Sequence, residues 1–112
     1  MTNFQKIIQR EIPADIVYET DDVLAFRDIS PQAPVHVLVI PKNPIISVAH
    51  AKEEDQQVLG RLLLAAAEVA RIEGVSESGY RLIVNNGEGA GQTVFHLHIH
   101  VLAGRTLSWP PG

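Results

Sequence analysis

The residues of this chain that are best suited to chemistry lie in one short apolar run near its C-terminal end. Histidine occupies every second position of this run, as His96, His98 and His100, and the residues between them are apolar. Side chains of an extended strand point alternately to opposite faces, so the spacing predicts three imidazoles on one face, about 6.6 Å apart at ~3.3 Å per residue. The apolar residues would then face a core, and the histidines would form a functional site.

A glycine-rich loop, residues 87–91, directly precedes the histidines and is followed by Gln92 and Thr93. Glycine lets the backbone approach a ligand closely, and successive N–H groups of such a loop can turn toward an anion. The Gln92 amide and the Thr93 hydroxyl would be additional donors. The loop lacks the Lys-Ser/Thr ending of a P-loop, so it does not predict an ordinary ATP site. Next to the histidines it favours a phosphate placed beside an imidazole nucleophile, for which the central His98 is the best candidate.

Two other interpretations of the histidines remain open at this point. Neutral imidazole is a common metal ligand, and alternate strand positions could present three rings to one ion. Such ligands usually have acceptors behind them that fix the tautomer, and the neighbouring residues here are Gly, Ala, Gln and Thr, not carboxylates. The rings could also be solvated on an open sheet face. A fourth histidine, His36, begins another predicted strand and could join the same face, whereas His50 is expected to be solvated.

Length and composition exclude several classes of protein. A chain of 112 residues with 46% apolar residues suits one domain spanning residues 1–112. The formal charge of −4 argues against nucleic-acid binding, which depends on clustered Lys and Arg. No segment is long and apolar enough to predict membrane insertion, and the N-terminus does not resemble a signal peptide. The chain has no cysteine, so disulfides and thiolate metal sites are excluded. Because the N-terminus does not resemble a signal peptide, we expect a cytoplasmic protein.

The elements that must position the histidines follow an α+β pattern. A short helix is predicted around Phe4 and a long one over residues 53–73, where the apolar face is wider than one sheet contact needs. That width favours a homodimer, although a small domain could also wrap the helix more fully. Short connections between five predicted strands favour a mainly antiparallel sheet. The predicted strands are Ile16–Glu19, Val23–Arg27, His36–Ile40, Tyr80–Asn85 and Phe95–Leu102.

The histidine run resembles the His-x-His-x-His signature of the histidine triad (HIT) superfamily of nucleotide hydrolases and transferases. Other segments resemble its Hint branch, the histidine triad nucleotide-binding proteins, and together the similarity covers nearly the whole chain. These segments are Ile12-Pro13-Ala14, Phe26 to Pro34, Val39-Ile40-Pro41, Gly79-Tyr80-Arg81, Gly91 to His96 and Trp109-Pro110-Pro111-Gly112.

The resemblance implies a homodimer in which the five-stranded sheet continues into the partner, with the long helix at the interface. It implies a purine nucleoside phosphoramidase, which cleaves the P–N bond of AMP joined to an amine, and it implies no cofactor and no metal. A non-catalytic purine-nucleotide-binding or signalling module would share every binding residue, so it remains the alternative. A histidine-ligated metal protein is a less favoured one.

The resemblance also implies roles for individual residues. His98 would be the nucleophile that carries AMP covalently, and His100 would contact the phosphate. His96 would orient the nucleophile, chiefly through its backbone carbonyl, and His36 would complete the cluster.

For the nucleotide, Asp28 would accept hydrogen bonds from the ribose hydroxyls, and Ile29 would line the base pocket. The residues implied on the phosphate side are Asn85, Gly91, Gln92 and Thr93. Family members commonly have serine in place of Thr93, which keeps the hydroxyl and adds a methyl group near the leaving amine. The tail around Trp109 would lie near the partner's active site and influence the choice of amine.

Overall fold

A five-stranded antiparallel sheet forms the centre of the computed structural model, which describes all 112 residues. The strands lie in the order β1-β2-β3-β5-β4, so that β1 and β4 are the two edges. The α+β class and the five strands are therefore confirmed. The elements are α1 (Asn3–Ile8), β1 (Ile16–Glu19), β2 (Val23–Arg27), β3 (Val35–Pro41), α2 (Gln56–Ile72), β4 (Tyr80–Ile83) and β5 (Ile99–Ala103).

The two helices lie on opposite faces of the sheet because the central strands are apolar on both sides. One set of alternating strand residues packs against the inner face of α2, while the other packs against Phe4 and Ile7 of α1. The α2 face includes Val37 and Val39, and the α1 face includes Leu38. In the sheet register Leu38 lies opposite His100. The histidine cluster is therefore on the α1 face.

The starts of the two helices differ: α1 begins with a capping box, whereas no side chain caps the start of α2. In α1, the Thr2 hydroxyl accepts from the Gln5 backbone N–H, and the Gln5 side chain accepts from the Thr2 backbone N–H. The residues at 53–55 form a short 3-10 turn, so the long α-helix starts at Gln56 and not at residue 53. No helix of this structure is long and apolar enough to cross a membrane.

The last strand is shorter than the alternating pattern predicts, and this changes the position of two histidines. The strand begins at Ile99 and not at Phe95, so only His100 of the three lies in it. The Leu97 N–H donates to the carbonyl of Ile45 in the loop after β3, at 2.6 Å, instead of joining the ladder with that strand. The prediction of a regular strand over residues 95–98 was therefore wrong, but the predicted sharing of one face is confirmed: Leu97 packs on the α2 face, and the rings of His96 and His98 contact Phe4 on the α1 face.

Candidate active site

The His98 ring is held so that one nitrogen is free. Its Nδ1–H donates to the backbone carbonyl of His96, with 2.7 Å between the two atoms. A neutral imidazole carries one N–H, so Nε2 of His98 has its lone pair available. The side chain is 6% exposed, and the ring of Phe4 from α1 meets it edge-on with centroids 5.1 Å apart. This is the arrangement that a positioned nucleophile requires.

The rings of His100 and His36 form a second pair beside it. The Gln32 backbone N–H donates to His36 Nδ1 at 3.0 Å, so the proton of a neutral His36 ring is on Nε2. That Nε2 lies 2.9 Å from His100 Nδ1, and donation across this contact leaves the His100 proton on its own Nε2. The His98 and His100 ring centroids are 4.9 Å apart. A free acceptor nitrogen therefore lies beside a ring whose outer nitrogen is a donor.

All four histidines of this region are held in the neutral form at pH 7. Burial lowers the pKa of His98 below its ordinary value of 6.5, against the opposing hydrogen bond to His96 and the charge of Asp28. Burial, together with the neighbouring His98 and His36, lowers the pKa of His100 to about 4. Burial likewise lowers the pKa of His36 and of His96. Neutral rings are what both nucleophilic attack and the hydrogen-bond chain need.

The His96 side chain does not join the ring cluster. It is completely buried, its Nε2 bonds the Pro41 carbonyl at 2.8 Å, and its Nδ1 has no partner in the protein. The ring anchors the bent segment to the end of β3, while the backbone carbonyl of the same residue holds His98. The fourth member of the cluster predicted from sequence, His36, is by contrast in direct contact with His100.

Asp28 lies beside the cluster, at the start of the loop that follows β2. One carboxylate oxygen accepts from the Ser30 N–H at 2.8 Å, and the other is 3.4 Å from His36 Nε2. The neighbouring Ile29 is completely exposed. The structure thus leaves an acidic and an apolar side chain together at one end of the histidine cluster, where a ribose and a base were predicted.

The predicted phosphate loop has some donors free and others already used. The Gly91 N–H donates to the Glu88 carbonyl, and both amide hydrogens of Gln92 go to backbone carbonyls. The Asn85 side chain, the Thr93 hydroxyl and the Thr93 N–H have no hydrogen-bond partner in the protein. These three groups are among the donors that remain available to a phosphate.

The geometry tests the metal interpretation directly. Potential ligand atoms of Asp28, His36 and His100 all lie within 4.8 Å of one another. However, the Gln32 N–H on His36 Nδ1 places the ring proton on Nε2, the atom that would have to bind the ion. If a metal bound His36 Nε2, the ring proton would have to be on Nδ1, where it would point at the Gln32 N–H. The residues present do not fit a metal at this position.

Several residues that build the site were not predicted from sequence. Phe4 contacts the rings of both His96 and His98, and the backbone groups of Gln32 and Ile45 hold His36 and Leu97. A lone aromatic in an amphipathic helix and two backbone groups carry no sequence signal for such a role. The tail around Trp109 was expected near a partner's active site, and in the single chain Trp109 is 80% exposed.

A bent apolar segment that presents one histidine with a free ring nitrogen beside a donor histidine, on an antiparallel sheet, matches the histidine triad class. The HIT domain family model matches residues 9–107, and the chain belongs to this family. It is similar to the purine nucleoside phosphoramidase of Escherichia coli K12, with 55% identity over 95% of this chain and 89% of that protein. It is also similar to a 14 kDa zinc-binding protein of Zea mays, with 50% identity over 99% of this chain and 88% of that protein.

A solved structure agrees with this assignment. The crystal structure of a HIT family hydrolase from Legionella pneumophila superposes with a TM-score of 0.95 at 50% identity, covering 97% of each chain. The likeness confirms the HIT fold. Family and relatives together support a hydrolase.

Proposed function

We propose that this chain hydrolyses the P–N bond of purine nucleoside 5′-phosphoramidates, releasing AMP and an amine through a nucleotidyl group carried on His98. The observation that carries the proposal is the His98 ring, whose Nδ1–H is bonded to the His96 carbonyl and whose Nε2 is free beside His100. The similarity to the E. coli phosphoramidase supports the same substrate class.

In the first step, His98 Nε2 attacks phosphorus, the P–N bond breaks and the amine leaves after taking up one proton from solvent. The ring that carries the phosphoryl group becomes cationic, and the His96 carbonyl on its Nδ1–H stabilises that charge. His100, whose pKa is lowered to about 4, is neutral at pH 7 and therefore acts as a hydrogen-bond donor to a phosphoryl oxygen, not as the acid.

In the second step, water attacks the same phosphorus, the Nε2–P bond breaks, AMP leaves with the oxygen of the water, and one proton of the water returns to solvent. Two displacements through a covalent intermediate are each easier than one direct attack on a poor electrophile. Negative charge on the phosphoryl oxygens is met by the free Thr93 and Asn85 donors and by His100. Asp28 would hold the ribose hydroxyls and Ile29 the base.

The experiment that tests this function is a rapid-quench mass measurement with an adenosine phosphoramidate. We expect a peptide containing His98 to gain the mass of an AMP group, and we expect His98→Asn to abolish turnover. His50→Ala is the control, since His50 is an exposed histidine outside the cluster. Undiminished turnover in His98→Asn, or no adduct in the wild type and in a slowed variant, would contradict the covalent route. A protein that binds AMP tightly but never turns over would support the non-catalytic alternative.

We also propose that two copies associate through β4 and the uncovered flank of α2. The outer edge of β4 is unpaired, and α2 packs mainly on the other four strands. The single chain leaves Leu63 54% exposed and Leu64 72% exposed, so the chain does not wrap its long helix as the alternative interpretation predicted. Such apolar exposure is typical of an interface. A cytoplasmic location stays a prediction.

A further inference from the structure

The side chain of Gln92 uses all of its hydrogen-bonding groups within the protein. It is 2% exposed, and its Oε1 accepts from the Gly87 N–H at 2.8 Å. Its Nε2 donates to the Ile46 carbonyl at 2.8 Å and to the Val94 carbonyl at 3.2 Å. A primary amide has two N–H hydrogens, and both are committed here.

These bonds close the glycine loop on itself. The Gln92 backbone N–H donates to the Gly87 carbonyl at 3.1 Å, so Gly87 is bonded to Gln92 through both of its backbone groups. Gly87 and Gly91 both have positive φ, 88° and 93°, which glycine adopts without strain. One side chain therefore joins the two ends of a loop whose residues have little stiffness of their own.

The same side chain ties the loop to the segment that carries the nucleophile. Ile46 accepts from Gln92, while the adjacent Ile45 accepts from Leu97, the residue between His96 and His98. The two neighbouring carbonyls thus hold the phosphate loop on one side and the nucleophile segment on the other. The relative position of the two depends on this link.

We infer that Gln92 is a positioning residue, which fixes the phosphate loop relative to His98 and makes no side-chain contact with the phosphate. The inference rests on the proposed function, because that function gives the loop its phosphate. Donors for a developing phosphoryl charge are effective only when they are already in place. A displacement of ~1 Å at such a site can cost about 100-fold in rate.

Gln92→Met keeps the length of the side chain and removes its three hydrogen bonds. We expect the single-turnover rate of His98 nucleotidylation to fall about 10- to 100-fold and AMP binding to weaken. The affinity for adenosine should stay within about twofold of the wild-type value, because adenosine has no phosphate to contact the glycine loop. Asp28, which would hold the ribose, lies in the loop that follows β2. Gln57→Met is the matched control, since Gln57 is exposed on α2. Equal losses of adenosine and AMP binding, or wild-type values for both, would overturn the inference.

A measurement on the wild-type protein does not depend on the variant folding. In a titration with AMP followed by NMR, the Thr93 backbone amide should shift, and the Gln92 side-chain NH₂ should stay slow to exchange with little shift. A Gln92 side-chain signal that shifts as much as that of Thr93 would place its amide on the phosphate and overturn the assignment.

Failure of the proposed function would be visible separately. In that case the wild type itself would neither bind AMP nor turn over a phosphoramidate. The positioning role is then decided by hydrogen exchange in Gln92→Met. Faster exchange of the Gly87 and Leu97 amides supports it, and unchanged exchange overturns it.

Discussion

The hydrogen bond from His36 to His100 allows a test in which two similar substitutions have different outcomes. Glutamine places its side-chain NH₂ near the position of His36 Nε2, so His36→Gln can still donate to His100 Nδ1. Asparagine places its oxygen near the position of Nδ1, so His36→Asn can accept from Gln32 but cannot reach His100. Each variant therefore keeps one of the two bonds that the structure gives His36.

The expected size of the effect follows from the bond that is lost. A hydrogen bond between neutral groups contributes about 0.5–1.5 kcal/mol net, which corresponds to a factor of about 2–13 in rate. The 2.9 Å bond joins two largely buried rings, so we expect the upper part of this range. His36→Asn should lower kcat about tenfold, and His36→Gln should stay within about threefold of the wild type.

The assay is steady-state hydrolysis of an adenosine phosphoramidate, combined with nitrogen NMR of the His100 ring. In the wild type and in His36→Gln the proton should be on His100 Nε2, whereas in His36→Asn it should be shared between both nitrogens. The reverse order, with His36→Asn active and His36→Gln impaired, would refute the reasoning. It would mean that the Gln32 contact matters and that the tautomer of His100 does not.

Three further outcomes are expected. Attack on phosphorus needs a neutral His98 ring, and burial lowers the pKa of that ring below 6.5. As the pH is lowered, kcat/KM should therefore fall only at a pH below 6.5. An acid inflection at pH 6.5 or higher would contradict this expectation. Leu63→Glu should convert a dimer to monomers in size-exclusion chromatography with light scattering while leaving the far-UV circular dichroism spectrum unchanged, because Leu63 is 54% exposed in the single chain. A wild type that is already monomeric at micromolar concentration would remove the dimer. Gly104→Ala should destabilise the fold by about 2–4 kcal/mol in urea unfolding, because its Cβ would lie 2.8 Å from the Pro34 side chain at φ +93°. Gly74→Ala, at φ +74° with no atom within 4 Å, should cost less than half as much.

Much of the fold follows from local pattern. The strands β1 and β2 have the predicted bounds, because short apolar runs separated by a polar turn leave the chain few other choices. The long helix differs from the prediction by three residues at its start, where charged residues form a 3-10 turn before it. Strand ends were less predictable. The strand Tyr80–Ile83 stops two residues before Asn85, and Val35–Pro41 extends beyond the predicted range at both ends.

For the candidate site, the sequence pattern predicted which side chains share a face and did not predict the path of the backbone that carries them. Alternation along residues 96–100 indicated that the three rings share one face of the sheet. It could not indicate the bends at residues 94–96, because the next residue, Leu97, is held by a carbonyl more than fifty residues earlier in the chain. For the same reason His96 was expected among the rings, although its side chain bonds Pro41. The proposed role of Gln92 could not be predicted either, since the sequence does not show whether a glutamine next to the glycine loop points to a ligand or into the protein.

The sequence by itself determined the residues available for chemistry, the class of the fold and the family that the chain resembles, since these depend on composition, spacing and motif. Tertiary structure decided which nitrogen of each histidine carries a proton, because that depends on where backbone groups lie in space: the Gln32 N–H for His36, the His96 carbonyl for His98 and the Pro41 carbonyl for His96. That assignment leaves Nε2 of His98 free, as the proposed nucleophile requires, and makes the metal interpretation a poor fit.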